Sequence, residues 1–224
     1  MGGVMAKIEL VIGNKNYSSW SLRGWLALRM TGTAFEEILI PLDRPETRDA
    51  LLAHSPTGLV PILKCGNEVI WDSLAIAEWS AERFPEAGLW PEDRSARALA
   101  RSACAEMPSG FSALRGELPM HIRREDPDRT YGTDTQNDIK RICELWTFCR
   151  ERFGHGGQFL FGTASVADAF FAPVVSRFRT YGVQLEGPCE DYAQTNWEWP
   201  LFQEWIAAAR EETFIVGRYE ETST

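Results

Sequence analysis

The sequence predicts two halves of different construction: an α/β half of order β-α-β-α-β-β-α over residues 6–84, then an all-helical half over residues 92–224. Three observations carry this reading. Through residue 84, short β-rich runs alternate with helix-compatible stretches. At Phe84-Pro85-Glu86-Ala87-Gly88-Leu89-Trp90-Pro91, two prolines and a glycine interrupt both patterns, as an interdomain linker does. Beyond that break, apolar residues recur at three- and four-residue steps.

In the first half, Lys7 to Gly13 reads as a short strand and Ser19 to Met30 as a helix ending near Gly32. Phe35 to Ile40 is a second β-rich run, stopped by Pro41, and residues 45–54 are helix-compatible. After the turn-rich Ser55-Pro56-Thr57-Gly58, Val60 to Lys64 and Glu68 to Trp71 form two strands around Gly66-Asn67, a pair suited to a type II′ hairpin. Asp72 or Ser73 caps a last helix. Strand–helix–strand order implies a right-handed parallel crossover, and the hairpin adds an antiparallel strand. That is the layout of a thioredoxin-like domain.

In the second half, Ala96, Leu99, Ala100, Ala103 and Met107 share one helical stripe, continued by Phe111, Leu114 and Leu118 after a kink expected at Pro108. Ile139, Ile142, Cys143, Trp146, Cys149 and Phe153 form a second stripe, and Val166, Ala169, Phe170, Val174 and Phe178 a third. Leu201, Trp205, Ile206 and Ala209 form a fourth. Aromatic stripes at this spacing are bundle core. Glu125 to Thr135 is charged and turn-rich, a solvated loop.

The chain's 23 basic and 32 acidic residues give a formal charge of −9, which argues against nucleic acid as a partner because phosphate binding needs a basic face. A small anion held by a local cluster remains compatible with it. Five scattered cysteines without a CxxC pair read as reduced thiols of a cytoplasmic protein, with no disulfide framework. No apolar run is long enough to cross a membrane, and residues 1–5 read as a flexible extension without a signal sequence.

Three segments carry chemistry. In Asn16-Tyr17-Ser18-Ser19-Trp20-Ser21-Leu22-Arg23, hydroxyls stand between a strand and a helix, where free N–H groups and the helix dipole favour an anion. A serine there also serves as an ordinary N-cap. In Gly58-Leu59-Val60-Pro61, a proline opens a strand and cannot donate to the sheet, and Val60-Pro61 is a candidate cis bond. A cis bond would leave the Val60 backbone N–H and C=O free for an extended peptide ligand. In Trp71-Asp72-Ser73, an acid and a hydroxyl open a helix, either as a plain cap or as partners for an ammonium and a carboxylate.

Together these segments resemble the cytosolic glutathione transferases, and the Ser-Ser-X-Ser-X-Arg run resembles their zeta-like branch, which includes maleylacetoacetate isomerases. The resemblance spans nearly the whole chain. It implies a cytoplasmic homodimer that uses glutathione as co-substrate and attacks a small-molecule electrophile, a transferase of the detoxifying kind. It also implies roles: Ser18 as first choice for the thiolate donor, then Ser19, then Tyr17. Val60, with Pro61, meets the cysteinyl backbone, Asp72 and Ser73 hold the γ-glutamyl end, and His54 meets the glycyl carboxylate. Ser165-X-X-Asp168 matches a capping box that the family uses in folding. Where the zeta branch commonly has cysteine this chain has Trp20, which weakens isomerisation relative to conjugation.

The energetics need no general base. Lowering a thiol pKa of about 8.5 by about two units requires about 2.7 kcal/mol. A hydrogen bond to the thiolate contributes about 1.5–3 kcal/mol, and a helix start adds about 0.3–1 kcal/mol. The implied function is transfer of glutathione to a small hydrophobic electrophile, bound near Trp20 and the helical residues Phe111 to Arg115. Arg123 and Arg124 are candidate cations for an acidic one. The alternatives are glutathione-dependent cis–trans isomerisation and a non-catalytic binding protein of the same fold.

Overall fold

The computed structural model describes residues 6–220; the expected extension at residues 1–5 lies outside them. Apolar alternation and β-branched residues build four strands: β1 (Ile8–Ile12), β2 (Glu36–Leu39), β3 (Ile62–Cys65) and β4 (Glu68–Trp71). They form one sheet of order β2-β1-β3-β4. β1 runs parallel to β2, with Leu10 opposite Glu37, and antiparallel to β3, with Leu10 opposite Leu63. The β3–β4 hairpin turns at Gly66, whose φ of 58° suits glycine. Helices α1 (Ser19–Arg29), α2 (Thr47–Leu52) and α3 (Ser73–Arg83) complete the thioredoxin-like order.

A 3-10 turn at Pro85–Ala87 leads into α4 (Arg94–Ser109), α5 (Ser112–Glu117), α6 (Thr133–Phe153), α7 (Val166–Thr180), α8 (Pro188–Trp197) and α9 (Pro200–Glu211). Pro108 sits in the last turn of α4, and the chain breaks at Phe111, whose φ is 51°, before α5 begins. α7 is the axis of this half: from Val166 to Phe178 every residue is buried. Its start is the expected capping box. Asp168 accepts hydrogen bonds from the Ser165 N–H at 2.8 Å, the Ser165 hydroxyl at 3.0 Å and the Leu160 N–H at 3.2 Å. Burial pushes its carboxyl up to about 6 against those donors.

α1 packs on α3 on one side and on α7 on the other, so a single apolar core runs through both halves. A satellite of Val11, Ile40, Leu51 and Ile62 lies apart from it and includes a residue of α2. The expectation of five reduced thiols is corrected: Cys143 on α6 and Cys189 on α8 form a disulfide, their Cα atoms 5.5 Å apart. The partner of Cys143 lies 46 residues away on a neighbouring helix, so no local spacing signals the pair. Cys65, Cys104 and Cys149 are free and buried.

Candidate active site between the two halves

Ser18 has an extended backbone (φ −86°, ψ 90°), which aims its oxygen back over the first turn of α1. The Oγ accepts the Ser21 N–H at 3.2 Å and donates to Ser21 Oγ at 2.8 Å. Ser21 is fully buried and its hydroxyl also accepts the Gly13 N–H at 2.9 Å, which ties the helix start to the end of β1. Ser18 is therefore the cap, and Ser19 is the first residue of the helix. Rotation about one Cβ–Oγ bond is enough to swing the Ser18 proton from Ser21 towards an anion at the helix start.

The Val60–Pro61 bond is cis. β3 begins at Ile62, later than the sequence suggests, because Pro61 has no N–H to give the sheet. Val60 makes no backbone hydrogen bond among the described residues. Pro61 is buried against α1: a Cβ added at Gly24 would come within 2.8 Å of Pro61 Cγ, so glycine lets helix and loop approach. Ile62 pairs with Trp71 as the last pair of the hairpin, so Pro61 and Asp72 are the residues at which the two strands leave the sheet. Asp72 holds φ at 74°, a region that disfavours side chains, while its Oδ1 accepts the Leu74 N–H at 2.7 Å as cap of α3. The Ser73 hydroxyl is fully buried with no hydrogen-bond partner among the described residues.

Ser18, Ser19, Trp20 and Val60 line one wall of a cleft of about 410 Å³. Pro61, Asp72, Ser73 and His54 are not among its lining residues. The opposite wall includes Arg115 from α5 and Arg177 from α7. Arg115 donates to the Pro108 and Gly110 carbonyls at 2.5 and 3.2 Å, and Arg177 to those of Leu118 and Pro173 at 2.9 and 3.1 Å. Arg23 is fully buried, donating to Met107 Sδ at 2.7 Å and the Phe170 carbonyl at 3.3 Å, with the Trp20 ring 5.0 Å away.

None of the three arginines pairs with a carboxylate among the described residues. Burial lowers Arg23 to about 9, with Arg177 and Arg115 adding repulsion, and lowers Arg177 to about 10. Both stay cationic at neutral pH. Around the cleft Arg115, Arg177 and Arg218 outnumber the one lining carboxylate, Asp43, and that excess of positive charge favours an anionic ligand. Arg115 lies in the segment expected from sequence to meet the electrophile. Arg177 was missed, although a lone arginine inside the apolar stripe from Val174 to Phe178 was a usable signal.

Tyr17, the third choice for the thiolate donor, is already engaged. Its hydroxyl donates to Glu220 and accepts from Arg123 Nη2 at 3.1 Å. Burial and the Glu220 carboxylate both raise its pKa. Arg123 and Arg124, expected as cations for a substrate, instead hold the chain beyond α9. Arg123 donates to the Glu212 and Phe214 carbonyls, and Arg124 to that of Glu220 at 3.0 Å. His121 is buried 3.1 Å from Glu220 and 3.3 Å from the Asn16 amide. No cluster of three His, Cys, Asp or Glu groups arranged for a metal ion occurs among the described residues. No helix there is long and apolar enough to cross a membrane.

Two family models match this chain: "Glutathione S-transferase, N-terminal domain" over residues 17–83 and "Glutathione S-transferase, C-terminal domain" over 98–208. Glutathione S-transferase Z1 of Arabidopsis thaliana is 35% identical over 203 residues, covering 84% of this chain and 89% of the relative. Maleylpyruvate isomerase of a Ralstonia species is 28% identical over 185 residues, covering 76% and 85%. Among solved structures, a holo maleylpyruvate isomerase, described as a bacterial zeta-class glutathione S-transferase, superposes with a TM-score of 0.73. It has 23% identity over 92% of this chain and 100% of that one, a likeness of fold.

Proposed function

The chain belongs to the glutathione S-transferase family, and on that premise we propose that it binds glutathione with the sulfur at the start of α1 and adds the thiolate to a small anionic electrophile. The observation that carries this reading is one cleft bearing the Ser18 hydroxyl on one wall and the acid-free Arg115 and Arg177 on the other. Ser18 stabilises the thiolate by rotating its proton onto sulfur, and the N–H groups of the first turn add the dipole term. The unpaired backbone of Val60 suits the cysteinyl amide and carbonyl. Ser73, buried without a partner, suits the γ-glutamyl carboxylate, and Asp72 its ammonium. His54 is kept for the glycyl carboxylate, since its Nδ1 is also buried and unpartnered.

The expected hydrophobic electrophile narrows to one with apolar and anionic parts: Trp20, Leu42 and Met120 line the cleft together with the arginines. A second reading follows from the same cations. The maleylpyruvate named for one relative carries carboxylates, and on such a substrate the added thiolate can be expelled after rotation about the former double bond. That is isomerisation, which returns glutathione unchanged. The experiment is a glutathione mass balance during turnover of a maleyl compound and, separately, of a halogenated aromatic. Stoichiometric loss of free thiol supports conjugation; product without thiol loss supports isomerisation. Absence of glutathione binding by calorimetry at millimolar ligand overturns both.

A further inference from the structure

We propose that the chain beyond α9 is part of the specificity wall of the second-substrate site: Arg218 and Tyr219 contact the electrophile, and Glu220 is the residue that positions them. The proposal rests on reading the cleft as that site. Arg218 and Tyr219 line it, on a short 3-10 turn (Gly217–Tyr219), beside Asp43 and Tyr17. A third guanidinium thus joins Arg115 and Arg177 around one cavity.

The segment is held by polar contacts more than by packing. Phe214 and Ile215 are 41% and 54% exposed, and of residues 213–220 only Val216 is buried. Arg44 of the α/β half donates to the Ile215 carbonyl at 3.4 Å, while Arg123 of the helical half donates to Phe214. The end of the segment converges on the Glu220 carboxylate, which accepts from Tyr17 and lies 3.1 Å from His121 Nε2. Tyr219 stacks on the Tyr17 ring, centroids 5.7 Å apart, and Arg218 reaches Asp43 at 4.0 Å. Tyr17 adjoins Ser18, so one acidic residue fixes the turn against the loop that carries the proposed thiolate donor.

A segment with little apolar burial opens locally at low free-energy cost. Its contribution must therefore appear in ligand affinity while the global fold is kept. Three variants of the full chain test this: Arg218→Ala, Arg218→Lys and Glu220→Ala. Binding of 8-anilinonaphthalene-1-sulfonate, an anionic aromatic probe, is followed by fluorescence, and the KM for maleylacetone is measured separately. Arg218→Ala is expected to weaken the probe and raise KM about five- to tenfold, with Arg218→Lys recovering part of it. Glu220→Ala, with Arg218 intact, is expected to raise KM several-fold while the glutathione Kd and the melting temperature stay near wild type.

Unchanged probe affinity and KM in Arg218→Ala overturn the proposal. Parallel losses of melting temperature, glutathione affinity and KM in Glu220→Ala also overturn it, because they mark a merely structural role. Failure of the wild type to bind glutathione would defeat the proposed function, and the probe titration would still decide the role of the segment.

Discussion

The two walls of the cleft are made in different ways. The wall proposed for the glutathione sulfur consists of chain turns, the cap of α1 and the loop before β3, with the cap of α3 next to them outside the cleft lining and backbone groups and hydroxyls as the functional atoms. The facing wall includes long side chains from α5 and α7, far apart in sequence. Backbone geometry at a turn constrains which residues are acceptable, so the first wall leaves a compact sequence signature. A guanidinium can reach a cavity from many positions, so the second leaves almost none. A family can therefore keep one ligand while varying the other by exchanging residues on the second wall.

The comparison breaks first at its support. Asp168→Ala removes the capping box of α7, which carries Arg177, and leaves the buried N–H groups of Leu160 and Ser165 without an acceptor. A loss of about 3–5 kcal/mol is expected in denaturant unfolding. A loss under about 1 kcal/mol would mean that the helical wall does not depend on that box.

Ser18→Ala should lower kcat/KM by about ten- to a hundredfold and raise the pKa of bound glutathione, read by thiolate absorbance. Because Ser18 is also the cap, about 1 kcal/mol of stability should go with it. Full retention of activity would move the thiolate to Ser19.

Arg177→Met sharpens the contrast between the walls. The substitution removes a buried cation that has no carboxylate but also strips the Leu118 and Pro173 carbonyls of its donors, so the two effects oppose and stability should change by less than about 2 kcal/mol. The KM for an anionic maleyl substrate should rise about tenfold with glutathione affinity unchanged. Equal losses for charged and neutral electrophiles would remove the argument for an anionic substrate.

The smallest effect is one of pH. Burial holds His121 below its ordinary value of 6.5, outweighing the contribution of Glu220. Between the lowered value and 6.5, the unfolded chain takes up a proton that the folded chain does not. Stability therefore rises with pH through that window and is lost as pH falls below about 6.5. His121→Asn should flatten the profile seen in melting temperatures between pH 5 and pH 7.

Much of this was legible before any coordinates. Alternation around Val60 to Trp71 and the helical steps from Ala96 onward mark elements whose periods follow from local backbone geometry. Pro61, Asp72-Ser73 and the serines before α1 mark turns, where the side chain needed is set by the turn itself. Ser165-X-X-Asp168 was legible for the same reason: both partners lie within one helical turn.

What failed were readings that depended on a distant partner. Tyr17 looked like a free hydroxyl until Glu220, 203 residues away, was found on it. Arg123 and Arg124 looked like substrate cations until the segment beyond α9 was found across them. Cys143 looked unpaired until Cys189 came alongside. The sequence alone thus determined the two-part fold, the family and the places where hydroxyls and open backbone gather, because those are set within a few residues of each position. Only the tertiary structure decided which hydroxyl caps, which arginines are left without acids and which distant residues line the cleft, because charge and burial are properties of neighbours brought together by packing.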